Sequence, residues 1–133
     1  MLTETLVPIN TEVDILNARQ QGRAMALQLG FSSGDLTLIA TAISEVARNI
    51  VVYAKRGEIS LSLVQEAGRN GIMVVARDQG PGIPDIPRAM QDGYSTGKSL
   101  GLGLPGAKRI MDEFAIVSEV GKGTTITMKK WMR

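Results

Sequence analysis

Three groups of residues in this chain have the types and spacing to do chemistry. The first lies in Thr37–Tyr53, TLIATAISEVARNIVVY. Leu38, Ile39, Ile43, Val46, Ala47, Ile50 and Val51 predict a helix apolar almost all round, as suits an element inside a core. One polar stripe interrupts it: Thr37, Thr41, Ser44, Glu45, Arg48 and Asn49, at spacings of three and four that share a face. A carboxylate and an amide one turn apart on a largely buried helix need partners, because buried polar groups are costly unless paired. Protein groups can supply those partners, and so can a bound ligand and metal. Taken alone, the stripe also fits the solvated edge of an amphipathic helix.

The second group is Asp78-Gln79-Gly80-Pro81-Gly82, which follows the apolar run Ile72–Ala76. A carboxylate held at a strand end can accept a hydrogen bond from an amine-bearing ring, and the glycines let that ring approach backbone. Alone, this DxGxG is a turn signal. The third group is the glycine-rich stretch from Asp92 to Gly106. Gly93-Tyr-Ser-Thr-Gly97-Lys98-Ser99 falls one residue short of a P-loop and lacks the strand that should feed it. Gly101-Leu102-Gly103-Leu104-Pro105-Gly106 matches GxGxxG, but no apolar strand precedes it and no room remains for a dinucleotide fold. Physically, the glycines let main-chain N–H groups reach an anion, and a helix starting near Leu104 offers its positive end to phosphate.

The elements that position these groups follow from local pattern. Leu6-Val7-Pro8-Ile9 reads as an edge strand because of Pro8. Asn10 or Thr11 caps a helix from Glu12, and Ile15, Ala18, Gly22, Met25 and Leu29 form its packing stripe. Arg19 and Arg23 sit one turn apart, as either a solvated basic face or a docking surface for an acidic partner. Gly30 ends that helix, and Ser32 or Ser33 caps the next. Glu58–Val64 alternates as a half-buried strand, with Ile59, Leu61 and Leu63 inward and Ser60 and Ser62 outward. Ala67–Gly71, ending Asn-Gly, predicts the hairpin connection. Ile72–Ala76 is more continuously apolar and so more central. A weak helix over Ile86–Gln91, a loop over Asp92–Gly103 and a helix over Leu104–Glu113 follow. Phe114–Val120 and Thr125–Met128 form a hairpin through Gly121-Lys122-Gly123. This order suits an α+β two-layer sandwich with helices on one face of a sheet.

Composition narrows the chemistry. The 133 residues predict one domain with one core, and 44% hydrophobic with 21% charged residues fits a globular protein. With 15 basic and 13 acidic residues, the charge is too balanced to argue for nucleic acid. The chain has neither cysteine nor histidine. That excludes disulfides, thiolate or imidazole metal sites, Ser-His-Asp chemistry and a phosphohistidine within this chain. No signal peptide or apolar run of about twenty residues is read, so no membrane association and a cytoplasmic location are expected.

In combination the motifs become specific. Glu45-x-x-x-Asn49 resembles the N box of the GHKL ATPase and kinase superfamily. Asp78-x-Gly80-x-Gly82 resembles its G1 box, Gly101-Leu102-Gly103-Leu104 its G2 box, and Gly121-Lys-Gly123-Thr124 its last GxGT-like element. They occur in the family's order. The stretches TAISEVARNI, DQGPGIPDI and GLGLPGAKRIMDEF and the KKWMR tail resemble the anti-sigma-factor type of serine kinase, and within it the stressosome switch kinases.

The resemblance implies the Bergerat ATP-binding sandwich, with a mixed, mostly antiparallel sheet and a lid at about Gly93–Gly103. It implies a serine/threonine protein kinase that uses ATP and Mg²⁺ to phosphorylate STAS-domain scaffold and antagonist proteins of a stressosome. It further implies a switch to the regulatory domain of a PP2C-type phosphatase, which the kinase activates. By position, Asn49 would ligate Mg²⁺ and Glu45 would be the general base. Asp78 would take the adenine amino group, Gly80 and Gly82 would shape the turn beside it, and Thr124 would support the adenine-side network. Gly101, Leu102, Gly103 and Leu104 would form the phosphate-side box, and Lys98 would reach the terminal phosphate. An anti-sigma factor that binds sigma directly, or a nucleotide-binding adaptor without catalysis, would share these motifs.

Overall fold

The computed structural model describes residues 4–82, 90 and 103–133. The expected helix over Ile86–Gln91 and most of the expected lid therefore lie outside the described residues. Strand β1 is Glu4–Ile9, followed by helices α1, Glu12–Leu29, and α2, Ser33–Asn49. Strands β2, Gly57–Glu66, and β3, Arg69–Asp78, come next. Helix α3, Gly103–Ile110, and strands β4, Glu113–Glu119, and β5, Gly123–Trp131, complete the order.

The strands form one sheet in the order β1-β2-β3-β5-β4. All four described pairings are antiparallel. The sheet expected as mixed but mostly antiparallel is thus antiparallel throughout these pairings. As its apolar run predicts, β3 is the middle strand, and Pro8 sits on edge strand β1. The register puts Val7, Ile59, Ala76, Ile126 and Ile116 on one face, with Leu61, Val74, Met128 and Phe114 in the next row. That face and the three helices share a single core, which includes Ala18 and Ala26 of α1, Ile39, Ile43 and Val46 of α2, and Leu104 and Ala107 of α3.

The first helix starts where Asn10 and Thr11 allow it to start. The Asp14 carboxylate accepts from the Asn10 N–H at 2.8 Å and the Thr11 N–H at 3.0 Å. These bonds, Asn10 first, hold the Asp14 carboxyl below its usual range. A depressed carboxyl stabilises the fold fully above its unfolded value of 3.8, and that contribution is lost as pH falls from there through the lowered folded value. Asp14→Ala is therefore expected to melt earlier than the parent at neutral pH, with the gap narrowing below about 3.8. Thermal melts across pH 2.5–7 check this. At the other end Gly30 takes φ +106°, and the Ser32 hydroxyl caps α2 through the Asp35 N–H at 3.2 Å.

Four local readings change. Ser33–Ala54 is 22 continuous helical residues with hydropathy 1.3, so it meets the length and composition of a membrane span that the sequence reading excluded. However, 56% of that window is buried inside the fold, as befits a core helix. The β2–β3 turn is Ala67-Gly68, both at positive φ, the first part of the expected connection Ala67–Gly71, and Asn70-Gly71 is already strand. Gly71 lies inside β3, paired with Val64 and Trp131, and a Cβ there would meet the Lys130 carbonyl oxygen at 2.5 Å and the Trp131 ring at 2.8 Å. Ser60 and Ser62, expected outward and solvated, are buried, and the Ser60 hydroxyl donates to Glu4 Oε2 at 2.6 Å. Finally, α3 stops at Ile110, three residues before its expected end, and β5 runs on to Trp131.

Candidate active site

The polar stripe on α2 sorts itself by hydrogen bonding. Thr37, Thr41 and Ser44 each donate to the carbonyl four residues earlier, Ser33, Thr37 and Ala40, at 3.3, 2.9 and 2.9 Å. Their hydroxyls are thus satisfied within the helix, which leaves Glu45, Arg48 and Asn49. Glu45 is 8% exposed, whereas Arg48 and Asn49 are half-buried. Directly after Asn49 the helix widens into a π-turn, Ile50–Ala54, closed by the Lys55 N–H to the Ile50 carbonyl at 2.9 Å. Lys55 then takes φ +74°. Such π-turns recur at functional positions because they re-aim neighbouring side chains. The sequence carries no clear signal for this one.

Asp78 is the last residue of β3, half-buried, opposite Thr124 of β5. Its Oδ1 accepts from the Gly80 N–H at 2.9 Å, which folds the loop back on the carboxylate. Three backbone approaches fix this loop. A Cβ on Gly80 would lie 2.6 Å from the Ala54 Cβ, so the loop touches the π-turn. One on Gly82 would lie 2.5 Å from the Glu119 carbonyl oxygen, and one on Gly123 2.1 Å from the Asp78 carbonyl oxygen. In addition, the Gly121 N–H donates to the Pro81 carbonyl at 2.9 Å. The Asp78 loop is thereby wedged between the end of α2 and the β4–β5 turn. Thr124 is 4% exposed, and its hydroxyl shares a 2.8 Å hydrogen bond with Ser118. Ser118 is absent from the sequence reading. The pairing of Glu119 with Gly123 across the hairpin is the signal that identifies it, because Ser118 then faces Thr124.

At the start of α3, Gly103 takes φ +66°, and a Cβ there would make only ordinary contact with the Pro105 Cδ, at 3.5 Å. Leu104, read as part of the nucleotide box, is 7% exposed and belongs to the core. What it can offer a ligand is its N–H in the first helical turn. Lys98, Gly101 and Leu102 lie outside the described residues. Arg19 lines a groove with Glu12, Ile15, Leu16, Ser44 and Arg48, between α1 and the stripe on α2. Arg23, paired with it in the sequence reading, is exposed but not part of that lining.

Among the described residues no group of three or more acidic side chains could hold a metal by itself. A magnesium site with few protein ligands is compatible with this; the Asn49 amide could be one, with phosphate and water completing the shell.

A histidine kinase-like ATPase domain model matches residues 9–130. The chain belongs to the histidine kinase-like ATPase domain family. Among members of this family, it is 52% identical to the serine/threonine-protein kinase RsbT of Bacillus subtilis (strain 168), over the full length of both chains. With that full-length likeness, the family assignment includes the enzyme class, protein serine/threonine kinase, with ATP as the nucleotide. An anti-sigma F factor of Geobacillus stearothermophilus is 36% identical over 85% of this chain and 81% of its own. The fold recurs in part of a crystal structure of the RsbU and RsbW domains of a Mycobacterium tuberculosis protein. That structure has a TM-score of 0.64 at 22% identity and covers all of this chain and 33% of that one.

Proposed function

We propose that this single-domain kinase phosphorylates serine or threonine on STAS-domain scaffold and antagonist proteins of a stressosome. It then exchanges partners and activates a PP2C-type phosphatase through its regulatory domain, within a sigma-factor stress cascade. The observation that carries this reading is the full-length likeness to RsbT, at 52% identity with no unmatched segment in either chain.

The site supports it chemically. Asn49 would hold Mg²⁺, and the terminal phosphates of ATP would lie toward Gly101, Gly103 and the first turn of α3, with Lys98 reaching them. Bound Mg-ATP supplies the phosphoryl group and neutralises much of its charge. Phosphoryl transfer is then mainly positioning. Glu45 accepts the proton of the incoming hydroxyl from a site 8% exposed, where few waters compete for it. Asp78 accepts from the exocyclic amine of adenine, which favours ATP over GTP, whose ring has a carbonyl there. The Thr124–Ser118 hydroxyl pair backs that side.

The test is transfer of labelled phosphate from Mg-ATP to a purified STAS-domain protein encoded beside this gene. Label on serine or threonine, followed by release of the kinase and its capture by the phosphatase regulator, is the expected result. ATP binding with capture but no label would replace this reading with a non-catalytic adaptor. The 36% identity to anti-sigma F factors favours a second reading, direct binding of a sigma factor. Titration against sigma separates the two, since only the second gives a stable complex.

A further inference from the structure

Lys130 is the only buried basic side chain among the described residues, at 5% exposure. Its pairing with Ile72 puts it on the core face of the sheet. A buried ammonium is costly, and an aliphatic side chain would suit that face better unless the charge has a task. Its Nζ donates to the carbonyl oxygen of Ile110 at 2.9 Å. Ile110 is the last residue of α3, where the helix dipole is negative and its carbonyls lack helical partners.

A second clamp lies two residues on, at Asp112. The Asp112 N–H donates to the Lys129 carbonyl at 2.9 Å, and the Asp112 carboxylate accepts from the Trp131 N–H at 2.7 Å and from Arg133 Nη2 at 2.6 Å. The KKWMR tail, which the site does not use directly, thus grips the far end of the helix whose first turn faces the phosphates. At eight residues α3 is a rod about 12 Å long. A tilt at Ile110 therefore displaces the N–H groups at Gly103 and Leu104.

We propose that Lys130 is a positioning residue for phosphate binding: it holds the C-terminus of α3 so that the N-terminus meets the ATP phosphates. The proposal rests on the reading that α3 faces those phosphates. It makes a specific claim, because adenine is held elsewhere, by Asp78 on β3. Removing the ammonium should weaken ligands in proportion to their phosphates and leave the nucleoside alone.

The experiment measures dissociation constants of the full chain for Mg-ATP and for adenosine by calorimetry. Lys130→Met is expected to weaken Mg-ATP roughly tenfold, the size expected when one charge-assisted hydrogen bond is degraded. Adenosine should stay within about twofold, and KM for ATP should rise with kcat little changed. Equal weakening of both ligands, or no change in either, overturns the proposal and leaves Lys130 a core residue only. Asp112→Ala opens the same clamp from its more exposed side and is expected to show the same selectivity, more weakly. If Lys130→Met does not fold, Asp112→Ala decides by the same two criteria. The parent protein tests the underlying reading separately. If it binds Mg-ATP no tighter than adenosine, the phosphate site on α3 is wrong and this proposal falls with it.

Discussion

Glu45→Ala should bind Mg-ATP as the parent does and lose phosphotransfer by about 10²–10⁴-fold, the usual contribution of a positioned general base. The expected separation of binding from chemistry follows from where Glu45 sits. It is on α2, one turn before Asn49, whereas the proposed adenine contact, Asp78, is on β3 and the proposed phosphate contacts are on α3. Alanine is also the best helix former, so the substitution does not weaken α2 by propensity. Single-turnover transfer to the proposed STAS-domain substrate, beside nucleotide titration, reads both quantities at once. Glu45→Gln keeps the shape without the basicity and is expected to match the alanine variant. Full transfer by either variant would falsify the base assignment, while parallel loss of ATP binding would make Glu45 a structural partner of the site.

Gly123→Ala is expected to be the most damaging small substitution in the nucleotide site. Gly123 has φ +119°, which side chains rarely adopt, and its Cβ would lie 2.1 Å from the Asp78 carbonyl oxygen and 2.8 Å from the Gln79 Cα. Both neighbours are backbone, so nothing can rotate away. Strain and overpacking together lower stability by on the order of 3 kcal/mol. They also push Asp78 away from Thr124, so preference for ATP over GTP should fall. Gly121→Ala is the matched control. Gly121 has φ +83° but nothing within 4 Å, so only the backbone strain of about 1 kcal/mol applies. Urea denaturation of both variants measures the difference. Equal stabilities would mean that the crowding at Asp78 relaxes freely.

Much of this architecture is legible without coordinates, and the reasons are local. The apolar run Ile72–Ala76 marks the middle strand, which has two strands on either side of it, and Pro8 marks the edge because it cannot donate to a ladder. Gly30 and Ser32 mark helix ends through backbone conformation and capping. Glu45 on α2 and Asp78 at the end of β3 stand where the motif spacing puts them. What escapes a sequence reading depends on distant contacts. The π-turn after Asn49 exists where Ala54 meets Gly80, residues twenty-six apart in the chain. Ser60 is buried through Glu4 on a neighbouring strand, against the simple alternation of its own strand. The Ala67–Gly71 connection is shorter than its Asn-Gly end suggests, because Gly71 pairs with Trp131 and the turn closes at Ala67-Gly68. Nothing in KKWMR tells which face Lys130 takes; its pairing with Ile72 does.

Strand β5 carries Thr124 opposite Asp78 at one end and Lys130 against Ile110 at the other. The two residues are an even number of positions apart, so both lie on the core face. A one-residue slip would turn both outward together. The strand is therefore a shared ruler: sliding it cannot adjust one end of the nucleotide cleft without upsetting the other. The length of the Val120–Lys122 turn should then be far less free to vary over evolution than the identity of its residues. A single inserted residue there is a change to the whole cleft, although it would sit in an exposed loop.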